Sequence, residues 1–385
     1  MGQETIAIDA AEQVAYLKDA KGVTFDLVDE GAAVAFLQDK NYFFKLKAFA
    51  KNFDKKLSGD GSKGRYVGLD FGHLVELSKL DKVVRDLALD LTLDIEHYLK
   101  TRVNRAAMRA HCDRYDLAES YLEIARRNVV AGQRRNFDKK AAERAIAGLS
   151  KVVSDLQAAE TPDDIIPLAN DAASQVALIT SGRSPDYIRA SFAAMKASPY
   201  SKRLVAKYED GRFPYWCLLE LMSLGPSISL YKACFREGGL IDDQQEKAEL
   251  KRINNLLRHV QVLRNSAAHG DCLLHELSRY SRDSSMGKIR EGLLAYGPDR
   301  AVVSQVQKVR IAMDLAAVLV CYDSVVPGGG ARLEAAETLR SANVRLAENA
   351  AWFSRNYAVS SFLKYMAEIL PIFAGRFEAS SSRSS

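Results

Sequence analysis

The sequence predicts an almost entirely α-helical protein. Apolar residues recur every three or four positions over long stretches, which is the spacing that places them on one face of a helix. Residues that interrupt helices are few, since the 385 positions include only nine prolines. With 48% hydrophobic and 27% charged residues, the chain can bury a sizeable core. We therefore predict an all-α globular protein, built as two packed units or as one extended helical body.

Three segments carry this helical spacing most clearly. The longest has the apolar stripe Leu77, Leu80, Val84, Leu87, Leu91, Ile95 and Tyr98. Part of it, "LALDLTLDI", alternates as a strand would, but the longer pattern and the lack of turn residues favour a helix. The second segment has Ile146, Leu149, Val153 and Leu156. The third has Ile253, Leu256, Leu257, Val260 and Leu263.

Polar and glycine-rich stretches divide the chain. "SGDGSKG" (58–64) predicts an exposed loop, "AGQRRNFDKK" (131–140) a break, "PGGGA" (327–331) a joint, and "SSSRSS" at the end a disordered tail. The predicted parts are an N-terminal helical region at 1–130, a helical insertion at 131–182, a helical core at 183–326, and a short C-terminal helical extension with its tail at 327–385.

Charge and cysteine usage limit the classes of function. Lys and Arg number 54 against 49 Asp and Glu, and this mild excess does not by itself indicate nucleic acid. The five cysteines are scattered without a C-x-x-C pair, which indicates free thiols in a reducing compartment. No secretory signal is visible, and the most apolar run, from Ile311, is too short to cross a bilayer. We expect a cytoplasmic protein without membrane contact.

Two basic stretches are weak candidates for RNA binding. The first has Lys45, Lys47 and Lys51 among the aromatic residues Tyr42, Phe43, Phe44, Phe49 and Phe53. The second includes Arg102 and Arg105. Aromatic rings can stack on bases while neighbouring cations hold phosphates. The commoner explanation of such a pattern is an amphipathic helix with a solvated charged face.

The stretch "LRNSAAHG" (263–270) carries the strongest candidate chemistry. Asn265 and His269 are four positions apart and share a helix face, with Arg264 at its flank. Gly270 suits the left-handed residue that ends a helix, so we place His269 in the last turn. Cleaving RNA without a metal requires a group that moves protons near neutral pH, which histidine supplies. It also requires a cation for the phosphate oxygens, which arginine supplies.

Spacing alone does not decide between this reaction and an ordinary helix end. R-x-x-x-x-H occurs by chance in many proteins, where the histidine and arginine are simply solvated. One histidine cannot easily perform both proton transfers, so the chemistry favours a homodimer with paired sites. Glu220 is either a buried partner of Arg264 or an ordinary helix residue. His259 has no recognisable partner, the six histidines offer no metal spacing, and we expect neither a metal nor a cofactor.

A resemblance to a known protein family favours a functional role for this motif. "GRFPYWCLLELMSLGPSISLYKACF" (211–235), followed by "VLRNSAAHG", resembles the Abi-like (AbiD/AbiF) family of bacterial abortive-infection proteins. The matching elements are Phe213, Pro214, Trp216, Leu218, Leu219, Glu220 and Gly225, then Arg264, Asn265, Ala268 and His269. The resemblance covers about 11–115 and 185–275. Gly270 departs from the family, which often has a second histidine there, and the segment at 131–180 is longer than expected.

The resemblance implies a HEPN-like helical bundle, in which R-x-x-x-x-H is associated with metal-independent RNase activity. Carried over, Arg264 and His269 are catalytic and Asn265 supports them. It implies an RNA substrate, a role in anti-phage defence and a structured non-coding RNA as a candidate partner. Two alternatives stay open: a non-catalytic RNA-binding or regulatory partner, and an interaction protein of a toxin–antitoxin pair.

Overall fold

A computed structural model describes residues 9–57, 63–135, 138–159, 161–180, 199–208, 212–279, 281 and 283–382. These residues form sixteen α-helices, and the described part of the chain contains no β-strand beyond two isolated bridges. The all-α prediction is therefore confirmed. Most of the predicted loop at 58–64 lies outside the described residues.

The described helices have the following order along the chain. They are α1 (Ala10–Ala15), α2 (Glu30–Asp39), α3 (Phe43–Ala50), α4 (Phe71–Arg109), α5 (Asp116–Arg135), α6 (Lys139–Ala158), α7 (Pro162–Thr180), α8 (Lys202–Ala206), α9 (Tyr215–Leu221), α10 (Leu224–Phe235), α11 (Gln244–Ala268), α12 (Met286–Leu294), α13 (Arg300–Val306), α14 (Arg310–Val325), α15 (Gly330–Ala347) and α16 (Tyr357–Ser381). A π-helical turn at Tyr16–Ala20 and a 3₁₀ turn at Ala350–Phe353 complete them.

The chain divides into two compact units. The first, called the motif unit, combines residues 1–99 with 248–385, and the second, called the middle unit, comprises 100–247. The motif unit therefore consists of two segments that are distant along the chain. The four sequence parts predicted above follow other boundaries and stay a prediction.

The long helix α4 is buried along its predicted stripe. Leu77, Val84, Leu91 and Ile95 are inaccessible to solvent, and the alternation at 87–95 lies within one continuous helix. This segment is therefore a helix, as the three-four spacing predicts, and not a strand as its local alternation would suggest.

The predicted buried face of α6 is wrong. Ile146 and Val153 are 54% and 55% exposed, whereas Ala145 and Val152 are buried. A Cβ atom added to Gly148 would lie 2.9 Å from the side chain of Gln175 on α7. Helices α6 and α7 therefore approach closely at Gly148, and Ile146 and Val153 stay exposed.

The C-terminal extension is helical, as predicted, and its last helix continues into the segment predicted to be a disordered tail. α16 continues to Ser381, whose buried hydroxyl donates to the carbonyl of Phe377 at 2.9 Å. Residues 383–385 lie outside the described part. The described helices include none with the length and apolar character needed to cross a membrane.

Candidate functional site

The motif helix α11 ends in a Schellman turn. The N–H of Asp271 donates to the carbonyl of Ser266 at 3.0 Å, and the N–H of Gly270 donates to that of Ala267 at 3.2 Å. Gly270 has a φ of +73°, the left-handed conformation predicted for it. His269 is therefore the C-cap, one residue beyond the helix rather than in its last turn as expected.

Polar side chains from the N-terminal region hold the backbone that follows the motif. Lys45 Nζ donates to the carbonyl of Gly270 at 3.2 Å. Asp81 Oδ1, on α4, accepts the N–H groups of Leu273 and Leu274 at 2.6 and 2.9 Å. Burial raises the pKa of the Asp81 carboxyl, against the opposing effect of these two donors. The predicted RNA-binding Lys45 thus contacts the motif turn directly.

Asn52 closes the same segment from another side. Its amide nitrogen donates to the carbonyl of Leu274 at 2.7 Å, and its amide oxygen accepts the N–H of Leu277 at 2.8 Å. Because Asn52 is buried, neither bond competes with water. Lys45, Asp81 and Asn52 therefore hold the segment 270–277, which directly follows His269, at both of its ends.

Arg264 is half-buried and loosely held. Its Nη1 donates to Asn265 Oδ1 at 3.4 Å, and its Nη2 lies 4.0 Å from Glu96 Oε2 on α4. Its Nε is buried and has no hydrogen-bond partner among the described residues. Neither polar contact is short, so the guanidinium is only weakly paired.

The carboxylate beside Arg264 is that of Glu96. In α9 the residues Leu218, Leu219 and Leu221 are buried, which leaves Glu220 on the exposed side. Glu220 is therefore exposed, which agrees with the alternative of an ordinary helix residue, and its supporting role at Arg264 stays a prediction. The sequence places Glu96 on the same face of α4 as Asp81 and Arg85, at spacings of four and eleven residues, but does not indicate that Arg264 is its partner.

His269 is exposed and lines a groove of about 910 Å³ in the motif unit. The groove also carries the charged residues Lys51, Arg258, Arg279, Arg310, Asp271, Glu276 and Asp314, and the aromatic residues Tyr42 and Phe44. Arg264 and Asn265 are not among its lining residues, although Asn265 is exposed. The structure thus brings His269 to the groove and leaves Arg264 at its side on the same helix.

Comparison with known proteins identifies the family. A family model described as Abi-like protein matches residues 35–275, more than half of the chain. This chain belongs to the Abi-like protein family. No curated protein and no solved structure matches it significantly. The matched range begins within α2 and ends after the motif turn, so it includes Lys45, Asp81, Arg264 and His269.

Two other lysines of the Abi-like protein have partners within its N-terminal region or the groove. Lys47 lies over the ring of Phe43, with Nζ 5.6 Å from the ring centre. Lys51 forms an ion pair of 3.3 Å with Glu276. Both side chains are largely exposed, so their predicted contact with RNA stays a prediction.

The arginines predicted to bind RNA have a structural partner in the middle unit. Arg102 and Arg105 form ion pairs of 3.1 and 2.8 Å with the buried carboxylate of Glu246. The Tyr231 hydroxyl donates to the same carboxylate at 2.7 Å. Both arginines therefore neutralise a buried charge, and their geometry lends no support to the predicted RNA contact.

Sequence reasoning missed a buried polar cluster around His259. The ring Nδ1 lies 2.6 Å from Asp314 Oδ1, and Nε2 lies 2.6 Å from Ser285 Oγ. Asp314 Oδ2 accepts a hydrogen bond of 2.7 Å from Arg310 Nε. The Ser285 hydroxyl and N–H lie against Asp283 and lower the pKa of its carboxyl. Across the described chain, no three His, Cys, Asp or Glu side chains are grouped so that they could hold a metal ion.

Proposed function

We propose that this Abi-like protein is a metal-independent endoribonuclease of abortive infection, with Arg264 and His269 as its catalytic pair. The observation that carries the proposal is the position of His269 on the motif turn. Its imidazole is exposed on a fixed turn and faces a groove of about 910 Å³. Arg264 lies five residues earlier on the same helix with a guanidinium that its contacts do not fix.

The proposed reaction is attack of a ribose 2′-oxygen on the adjacent phosphorus. His269 takes the proton of the 2′-OH as the new P–O bond forms. Arg264 stabilises the charge that develops on the non-bridging phosphate oxygens. The bond to the 5′-oxygen then breaks, and that oxygen takes a proton from an acid. The products are a 2′,3′-cyclic phosphate and a 5′-hydroxyl end, and Asn265 orients either the phosphate or the imidazole.

The proton for the leaving oxygen requires a second acid. One imidazole that has just accepted a proton on the attacking side is poorly placed to deliver one on the opposite side. A two-fold pair of motif helices would supply the second histidine, and closed two-fold dimers are the commonest homo-oligomers. We therefore include a homodimer in the proposal. A cytoplasmic location and a structured non-coding RNA partner are compatible with it.

The experiment that tests the proposal is cleavage of a labelled RNA by the purified full chain with a chelator present. Arg264→Ala and His269→Ala should each lower the rate by about a hundredfold or more. Arg300→Ala, which changes an exposed arginine outside the groove, serves as the matched control. A DNA strand of the same sequence should stay intact, because it lacks the attacking 2′-OH. Wild-type cleavage by His269→Ala, or loss of cleavage in chelator, would contradict the mechanism.

The ion pair between Arg264 and Glu96 favours a second candidate function. If this arginine serves the packing of α11 on α4, the protein is an RNA-binding partner without catalytic activity. In that case the wild-type chain retains RNA without cutting it, and Arg264→Ala lowers the melting temperature. A stable Arg264→Ala variant that has lost only cleavage supports the nuclease instead.

A further inference from the structure

The aromatic residues of the first basic stretch fall into two groups. Phe49 and Phe53 belong to the core, with 0% and 8% exposure. Tyr42 and Phe44 are 60% and 76% exposed. Both exposed rings line the groove that His269 faces. Two large exposed rings in one groove provide apolar surface on which a ligand can stack.

One face of the motif helix also lines the groove. Arg258, Val262, Ser266 and His269 all line it, at spacings of four, four and three residues. These spacings keep their side chains on one side of α11. At a rise of about 1.5 Å per residue, this face runs about 16 Å along the helix axis. The groove therefore leads along the helix to His269.

Most charged side chains of the groove form ion pairs with one another, but some do not. Glu276 is held by Lys51 at 3.3 Å and by Arg279 at 3.1 Å. Asp314 is held by Arg310 at 2.7 Å. Arg258 is exposed in the groove, and no carboxylate of the described residues lies within ion-pair distance of it. The groove is thus lined by two exposed rings and by one cation, Arg258, and one carboxylate, Asp271, that form no ion pair with the described residues.

We propose that this groove binds single-stranded RNA, with Tyr42 and Phe44 stacking on unpaired bases and Arg258 contacting a phosphate. The inference rests on the proposed nuclease function, because it places the bound strand beside His269. Bases in a duplex are stacked on one another and offer no free face, whereas unpaired bases stack readily on aromatic side chains. The planar guanidinium of Arg258 suits phosphate oxygens. The substrate class is therefore an unpaired RNA segment.

The test measures RNA binding by the full chain in a His269→Ala background, so that cleavage does not interfere. The probe is a fluorescent oligouridine, and a hairpin duplex of the same length is the comparison. Tyr42→Ala and Phe44→Ala should each weaken oligouridine binding about tenfold, the contribution of one stacked base. Arg258→Gln should reduce the salt slope of binding by about 0.7, the loss of one phosphate contact on a single strand. Hairpin binding should not change in the aromatic variants.

Two controls separate stacking from other effects. Tyr357→Ala removes a ring that is 71% exposed but lies outside the groove, and it should bind as the parent does. Tyr42→Leu and Phe44→Leu keep apolar surface without a ring and should be as weak as the alanine variants. Restored binding with leucine, or an equal loss of hairpin binding, would overturn the stacking proposal.

The outcome also distinguishes this inference from the nuclease proposal. If wild-type protein cuts RNA and the aromatic variants bind oligouridine normally, the groove inference fails and the nuclease proposal stands. If wild-type protein does not cut RNA but binding depends on Tyr42 and Phe44, the groove inference stands and the nuclease proposal fails.

Discussion

Two histidines ten positions apart on the same motif helix have opposite surroundings. His259 is fully buried, and both of its ring nitrogens lie 2.6 Å from a polar partner. His269 is exposed, and its ring makes no hydrogen bond with the described residues. An imidazole whose two nitrogens are engaged serves the packing of its neighbours, whereas one with open nitrogens can exchange protons with a ligand. Accessibility, more than residue type, therefore separates the structural histidine from the candidate catalytic one.

Removing His259 should have the largest effect on stability. His259→Ala leaves a cavity and removes a partner from both Asp314 and Ser285, so the free energy of unfolding should fall by about 3 kcal/mol. Urea denaturation followed by circular dichroism measures this. His269→Ala is the matched control and should change stability by no more than about 0.5 kcal/mol. Equal losses in the two variants would remove the distinction between the histidines.

The motif turn itself should be sensitive to its backbone conformation. Gly270→Ala places a side chain at a φ of +73°, which costs about 1–2 kcal/mol. Space is not the cause, because the added Cβ would lie 3.5 Å from Arg85 Nη1, an ordinary contact. Gly292→Ala, inside α12 with no atom within 4 Å, should be neutral or should stabilise by up to about 1 kcal/mol. Thermal denaturation measures the melting temperatures of both variants, and the two shifts should differ in sign or size. Equal decreases in melting temperature would show that the left-handed turn is not the cause.

The smallest expected effect is a pH dependence at the buried cluster. Hydrogen bonds from Ser285 lower the pKa of Asp283 below its ordinary value. A carboxyl with a lowered folded pKa contributes stability that is fully present above the unfolded pKa of about 3.9 and is lost as pH falls through the folded pKa. The stability difference between wild type and Asp283→Asn should therefore be constant above about pH 5 and shrink below about pH 4. A difference that grows on acidification would refute this assignment.

The features predicted correctly from the sequence are those set by neighbouring residues. The three-four spacing in α4 predicts a buried stripe, and Gly270 predicts the end of α11, because both depend on backbone geometry within a few residues. The candidate pair Arg264 and His269 likewise depends on a local motif, and its chemistry stays a prediction.

The features that the sequence did not reveal depend on distant partners or on packing distance. Glu96 meets Arg264, and Asp314 meets His259, only after helices far apart in the chain pack together. The buried face of α6 follows from the close approach allowed by Gly148, which an apolar count overlooks. No periodicity in a single sequence encodes these pairings.

The hydrogen bonds that hold the motif turn also set the order in which a newly made chain can complete it. Lys45 and Gly270 are 225 positions apart, and Asp81 and Leu273 are 192 apart. At roughly 5–20 residues per second on the ribosome, about ten to forty-five seconds pass between the synthesis of Lys45 and that of Gly270. Throughout that interval the growing polypeptide has no positioned His269. A protein that cuts RNA in the manner proposed would thus acquire its reactive turn only after residues 270–274 have been made, long after the residues that hold them.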